Sequence, residues 1–171
     1  GAVLAKSPGL GWSNPDHPGH MLFPLLATLV SNRPIGEAIV TELEAMGRDP
    51  LESSALTDDE HKTKLTTPSI VALIQSMRPS IALTDPDRDA AIDAMRVAAE
   101  ERVEGILGNS RRRHYGHAAL LVASCVACAP KRRAAEFLRW AEDLRQQYWR
   151  RHAFREELAR ASESLGVTLP A

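Results

Sequence analysis

Apolar residues recur every three or four positions between Ala91 and Leu107, and this spacing restricts the fold more than any other feature of the chain. The pattern lasts for about six turns of ~3.6 residues each, which is typical of a long amphipathic helix. No useful length of the sequence alternates with a period of two, so no β-sheet is predicted. The sequence therefore predicts an all-α fold.

The same reasoning divides the chain into about eight helices, separated by Pro, Gly and Asn residues. They are predicted at about 17–31, 35–46, a short segment from 57, 67–78, 85–107, 115–129, 130–148 and 152–165. Helices of this kind form an antiparallel helical bundle or a short α-solenoid of HEAT- or TPR-like helix pairs. We expect a single helical domain over 1–171, with an irregular N-terminal arm at 1–16 and a flexible acidic loop at about 48–66.

The composition indicates a globular protein without a membrane span. Hydrophobic residues make up 44% of the chain and charged residues 25%, as in ordinary soluble domains. The longest apolar run, 118–129, is too short to cross a bilayer. The N-terminus lacks the basic flank and apolar core of a signal peptide, and it begins with Gly1, which suggests a processed chain or a fragment. We therefore expect a cytoplasmic protein with no membrane partner.

Charge is distributed unevenly along the sequence. Residues 1–110 contain 9 Lys and Arg against 16 Asp and Glu, whereas residues 111–160 contain 12 against 5. One interpretation is that the acidic and basic parts complement each other, within the molecule or between the copies of a homo-oligomer. The other is that the basic part binds phosphates or an acidic partner.

Three basic clusters fall at predicted helix junctions, close to several aromatic residues. The clusters are Arg111, Arg112 and Arg113; Lys131, Arg132 and Arg133; and Arg150 and Arg151. Lined up along one edge, they can follow a nucleic-acid backbone while an aromatic ring stacks on a base. Alternatively, the arginines pair with acids along the helices. The sequence pI of 6.7 is low for a dedicated nucleic-acid binder.

Three His or Cys pairs have the i, i+3 spacing that places both side chains on one side of a helix. They are His17 and His20, His114 and His117, and Cys125 and Cys128. Two such pairs can supply the four ligands of a structural zinc site. The competing interpretation is that the thiols pack between helices and the histidines cap helices or bond to the backbone.

Catalytic patterns are weak. A nucleophilic cysteine with a histidine base needs an exposed thiolate of lowered pKa, and the apolar residues around the cysteines argue for burial instead. No P-loop, G-x-G-x-x-G, G-x-S-x-G or H-E-x-x-H sequence occurs. An enzyme, either thiol- or metal-dependent, is therefore the less favoured interpretation, and no cofactor is predicted.

The C-terminal part contains segments with a recognisable order. They are Glu101–Asn109, His114–Leu121, Leu144–Tyr148 and Arg151–Leu158. Together they resemble the C-terminal helical tail of bacterial SWIM zinc-finger-associated proteins and of related uncharacterised bacterial families, over about residues 100–160. The SWIM zinc motif itself, Cys-x-Cys followed by Cys-x-His, is absent, so its metal site does not carry over. The resemblance implies a helical interaction module that belongs to a longer bacterial protein and brings no catalytic residues.

These observations predict a non-enzymatic helical module for protein interaction or scaffolding. A protein partner is expected first. The alternative is a nucleic-acid-binding module that uses the basic helix junctions.

Overall fold

A computed structural model of the protein describes residues 19–31 and 83–169. Within these two ranges it contains five α-helices and no β-strand, so the predicted all-α class is confirmed. The helices are α1 (Gly19–Val30), α2 (Asp85–Leu107), α3 (Tyr115–Cys128), α4 (Ala134–Gln147) and α5 (His152–Ser164). The predicted helices at 35–46, 57 and 67–78, the arm at 1–16 and the loop at 48–66 lie outside the described residues. The count of about eight helices and the solenoid arrangement stay predictions.

Helix α2 begins and ends with local signals. At its start the Thr84 hydroxyl accepts a hydrogen bond from the Asp87 backbone N–H (3.3 Å), while the Asp87 carboxylate accepts one from the Thr84 N–H (3.2 Å). This reciprocal pair is a capping box. At its end the Arg111 N–H donates to the Ile106 carbonyl (2.9 Å), and Ser110 takes a left-handed backbone with φ 54°. Together these features form a Schellman motif, in which glycine usually occupies the left-handed position.

Helix α3 is the centre of the described fold. Nearly all of its side chains are buried, and it packs against each of the other four helices. This explains the apolar run at 118–129, because a helix surrounded by other helices has no polar face. The Ser124 hydroxyl in the middle of this helix is buried and donates to the Leu120 carbonyl (2.6 Å).

The basic side chain of Arg88 joins α1 to the rest of the bundle. Its guanidinium donates to the carbonyls of Leu29 (3.4 Å) and Val30 (3.1 Å), at the C-terminus of α1. A cation there satisfies terminal carbonyls and complements the helix dipole. In the described part of the chain, no helix combines the length and apolarity needed to cross a membrane.

Helices α2 and α4 run in the same direction, and side chains link α2 to α4 and to the turn that precedes α4. The links are Arg132 to Asp89 (2.6 Å), Arg133 to Asp93 (2.8 Å), Arg96 to Glu136 (2.8 Å) and Trp140 to Glu100 (2.6 Å). Positions on α2 advance by about one turn between links, and their partners in α4 and the turn before it advance in the same direction, as expected for parallel neighbours. The acids of α2 therefore face the basic start of α4.

The alternating directions of α2 to α5 place the helix junctions at two opposite ends. Edge-to-face ring contacts join Tyr115 to Phe154 (6.2 Å between centroids) and Tyr148 to Phe154 (6.3 Å). The junction before α3 and the junction before α5 therefore lie at the same end. The junction before α4 lies at the other end, about 20 Å away along α3 at ~1.5 Å per residue.

Candidate functional site

The cluster Lys131 to Arg133 lies at the end where α4 begins, and most of its charge is used within the molecule. Arg133 bonds to Asp93 at 2.8 Å and to Glu136 at 2.7 Å. Its guanidinium also lies over the Phe137 ring, 5.2 Å from the centroid. Its side chain is only 17% exposed, so this arginine is held by the fold.

The neighbouring cations are less enclosed. Arg132 is about half exposed and bonds to Asp89 at 2.6 Å, whereas Lys131 is exposed and has no ion pair among the described residues. The carboxylate of Asp89 raises the pKa of Arg132, and the carboxylates of Glu136 and then Asp93 raise that of Arg133. The predicted complementarity between acidic and basic parts is therefore confirmed within the molecule at this end.

The clusters Arg111–Arg113 and Arg150–Arg151 share the opposite end. We call the surface formed by Arg111, Arg112, Arg113, Trp149, Arg150 and Arg151 the basic end. The expectation that all three clusters follow one edge is wrong, since Lys131, Arg132 and Arg133 belong to the other end of the bundle. The physical reason is the helix directions, because α3 separates the first cluster from the second by its full length.

The arginines of the basic end differ from Arg132 and Arg133 in their surroundings. Arg111, Arg112 and Arg113 are exposed. Within the described ranges no carboxylate lies within ion-pair distance of them or of Arg150 and Arg151. Arg113 donates from Nε to the Nε2 atom of His114 (3.0 Å). No described carboxylate therefore neutralises the charges of these five arginines.

Trp149 lies in the turn between α4 and α5 and is 58% exposed, more than any other large hydrophobic side chain in the described part. The Arg150 guanidinium lies over its ring, 5.0 Å from the centroid. With Gln147, Tyr148 and Arg151 these two residues line a pocket of about 540 Å³. The basic end therefore carries one exposed aromatic ring beside its arginines.

The pKa of the neighbouring His114 is lowered by burial and by nearby positive charges. Burial lowers the pKa of His114, and the charges of Arg102, Arg113 and Arg111 lower it further. Arg102 is itself buried, at 1% exposure, with Nη2 3.4 Å from Nδ1 of His117. Burial and the charge of Arg111 lower the pKa of Arg102 to about 10, so it keeps its charge at neutral pH. Sequence patterning missed Arg102, although it falls on the apolar side of α2.

The His and Cys pairs do not converge on one site in the described ranges. His117 and Cys125 are on the same helix, eight residues or about 12 Å apart along its axis. No group of three or more His, Cys, Asp or Glu side chains in the described part is arranged to hold a metal ion. His17 and the side chain of His20 lie outside the described residues, so a zinc site that includes them stays a prediction.

The two thiols are unsuited to nucleophilic chemistry. Cys125 and Cys128 are both buried. Burial raises the pKa of the Cys125 thiol well above its ordinary value, and raises that of Cys128 to about 12. Cys128 donates to the Ala27 carbonyl of α1 at 3.8 Å. Burial of both thiols fits close packing between helices, with Cys128 against α1, which was the competing interpretation of this pair.

A second pocket, of about 500 Å³, lies between α5 and the segment that follows it. Gly166 turns the chain with φ 65°, and Val167 then donates to the Ser162 carbonyl (2.8 Å), closing α5 with a second Schellman motif. Ser162 is buried, and its hydroxyl has no hydrogen-bond partner in the described ranges. The lining is mostly apolar and includes Leu158, Val167 and Leu169.

Comparisons with protein families, with curated proteins and with solved structures give no match. The resemblance to the tail of SWIM zinc-finger-associated proteins therefore stays a prediction. The geometry of the basic end is the observation that bears on function.

Proposed function

We propose that this protein is a non-enzymatic helical interaction module that binds an acidic partner through its basic end. The single observation that carries the proposal is the contrast between the two ends of the bundle. At one end, Arg132 and Arg133 are neutralised by the acids of α2. At the other, five arginines and the exposed Trp149 share one end of the bundle, and no described carboxylate lies within ion-pair distance of those arginines.

Electrostatics supports the acidic character of the partner. Guanidinium groups of like charge repel one another, and the charges of Arg102, Arg113 and Arg111 add to burial in lowering the pKa of His114. A polyanion bound at the basic end relieves this repulsion, whereas a cationic or neutral partner does not. The five guanidiniums also offer planar donors that match carboxylate and phosphate oxygens.

The absence of a catalytic arrangement among the described residues leaves binding as the role that the basic end can perform. The arginines present charge and hydrogen-bond donors, but they lie beside no nucleophile of lowered pKa. A scaffolding role follows if the module joins its acidic partner to the rest of a longer protein, as the resemblance implies.

Fluorescence-anisotropy titration with two labelled polyanions, a poly-glutamate peptide and an oligothymidylate, tests the proposal at low salt. We expect at least one to bind. The variant R111Q/R112Q/R113Q should weaken that binding roughly 3- to 140-fold, since each exposed ion pair contributes about 0.2–1 kcal/mol.

The matched control is K131Q/R139Q/R160Q, which removes the same three charges from exposed positions away from the basic end. It should bind like the wild type. Equal weakening by both triple variants would attribute the binding to net charge alone, and no binding of either probe to the wild type would overturn the proposal.

A further inference from the structure

The basic end is cationic but has little apolar surface. Trp149 is the exposed large hydrophobic residue of the described part, and no second apolar side chain of its size accompanies it. Protein interfaces contain a largely apolar core and bury about 1,000 Å² or more. A single ring among five guanidiniums does not supply such a core. It does supply the two elements of single-strand nucleic-acid recognition, namely a stacking platform and cations for the phosphates.

The ring is already held as a platform. Arg150 lies over the ring, 5.0 Å from its centroid, and Trp149 is 58% exposed, so much of the side chain is accessible to a planar group. The attraction between the Arg150 cation and the aromatic ring helps to hold the Trp149 side chain in this orientation. The ring also projects from a turn between two helices, so it can meet a base that is not stacked in a duplex.

The width of the basic end fits a short stretch of nucleic-acid backbone. The Arg111–Arg113 cluster precedes α3, and Trp149, Arg150 and Arg151 lie between α4 and α5. Neighbouring helices are about 8–10 Å apart, so the basic end extends over roughly 20 Å. This span lets an extended strand place one base on Trp149 while its phosphates reach both arginine clusters. The overall charge of −1 does not oppose such binding, because the field within a Debye length of about 8–10 Å is set by local charges.

From this arrangement we infer that the acidic partner is single-stranded nucleic acid, with Trp149 stacking on a base and Arg111, Arg112, Arg113, Arg150 and Arg151 contacting phosphates. The inference rests on the proposed function and adds the class of the partner. The inferred contacts require no modified nucleotide. They also require no particular base sequence, because any base can stack on an aromatic ring.

An oligothymidylate of about ten nucleotides and an abasic oligomer of the same length test the inference, since such sites span about 4–16 nucleotides. The abasic oligomer keeps the phosphates and removes the bases. The wild type should bind oligothymidylate about 5- to 140-fold more tightly than the abasic oligomer, the range expected for one stacked base. It should also prefer the single strand to a duplex of equal length.

Trp149→Ala should reduce the affinity for oligothymidylate to that for the abasic oligomer and leave abasic binding unchanged. Trp149→Phe should recover most of the difference, because it keeps a ring. Trp149 is exposed, so the variants should fold, and an unchanged far-UV circular dichroism spectrum and denaturation midpoint verify this.

The outcomes separate the two proposals. If the wild type binds the abasic oligomer or poly-glutamate as tightly as oligothymidylate, the basic end binds polyanions by charge alone, and the inference about nucleic acid fails while the proposed function stands. If poly-glutamate binds more tightly than either oligomer, the partner is an acidic protein. If none of the probes binds at low salt, both proposals fail.

Discussion

Replacing Arg133 tests whether the arginines at the start of α4 stabilise the fold. Arg133→Gln removes the bonds to Asp93 (2.8 Å) and Glu136 (2.7 Å), together with the stacking of the guanidinium on the buried Phe137 ring. Hydrogen bonds to charged groups contribute about 1.5–3 kcal/mol when buried, and we reduce this to about 0.5–1 kcal/mol each because both carboxylates are about 40% exposed. The cation–π contact adds about 0.5–1 kcal/mol. The expected loss of unfolding free energy is about 2 kcal/mol.

Urea denaturation followed by far-UV circular dichroism measures this loss. With an m-value of about 2 kcal/mol/M, the midpoint should fall by about 1 M. Lys131→Gln is the matched control, because Lys131 carries the same charge two residues away and has no described ion pair. Lys131→Gln should leave the denaturation midpoint unchanged. Arg132→Gln should lower the midpoint by less than Arg133→Gln does. If Lys131→Gln destabilises the protein as much as Arg133→Gln, the effect is one of net charge and the structural argument is refuted.

Three further predictions concern stability and thiol access. Ser110→Gly should raise the unfolding free energy by up to about 1 kcal/mol and Gly166→Ala should lower it by about 1 kcal/mol, since both positions have a left-handed backbone that glycine adopts without strain; urea denaturation measures both. The hydrogen bond from Arg133 lowers the pKa of Glu136 from 4.5 to about 2. The Glu136 carboxylate should therefore stabilise the fold fully above pH 4.5, and this stabilisation should be lost as the pH falls toward 2. Acid titration of Glu136→Gln should lack this loss of stability. Both cysteines should react with a thiol reagent only as fast as the protein opens, and rapid labelling of the native protein would contradict their burial.

The helix boundaries could be predicted from the sequence because the signals that set them are local. The periodicity of α2, the proline at 130 and the glycine at 166 each act within a few residues, and the structure places helix ends within a few residues of those positions. Helix α3 was predictable for the same reason, since its apolar run has no polar face. The all-α class followed from the periodicity alone.

The roles of the arginines could not be predicted in the same way. Arg112 and Arg132 look alike in the sequence, since each is the middle of three basic residues at a helix junction. They differ because α2 presents Asp89 and Asp93, one turn apart, toward the start of α4, and its other end presents no such pair toward the start of α3. Which acid faces which cluster depends on helix directions, which sequence periodicity does not contain.

The buried charge of Arg102 is a further feature that the sequence concealed. Arginine is rarely buried completely, so a residue of this type between the apolar turns of α2 is assigned to the solvent face by default. The structure places it against His117 of α3, below the basic end. Its charge then adds to the field of Arg111 and its neighbours, which patterning by residue type could not show.

The salt dependence of oligothymidylate binding tests the central claim most directly, because it counts the phosphate contacts at the basic end. For a single strand the logarithm of the binding constant falls by about 0.7 per contact per logarithm of salt concentration, so five arginines predict a slope of about −3.5. In R111Q/R112Q/R113Q two of these arginines remain, and the slope should be about −1.4. Equal slopes for the wild type and this variant would show that the basic end does not contact the strand, and would contradict the claim.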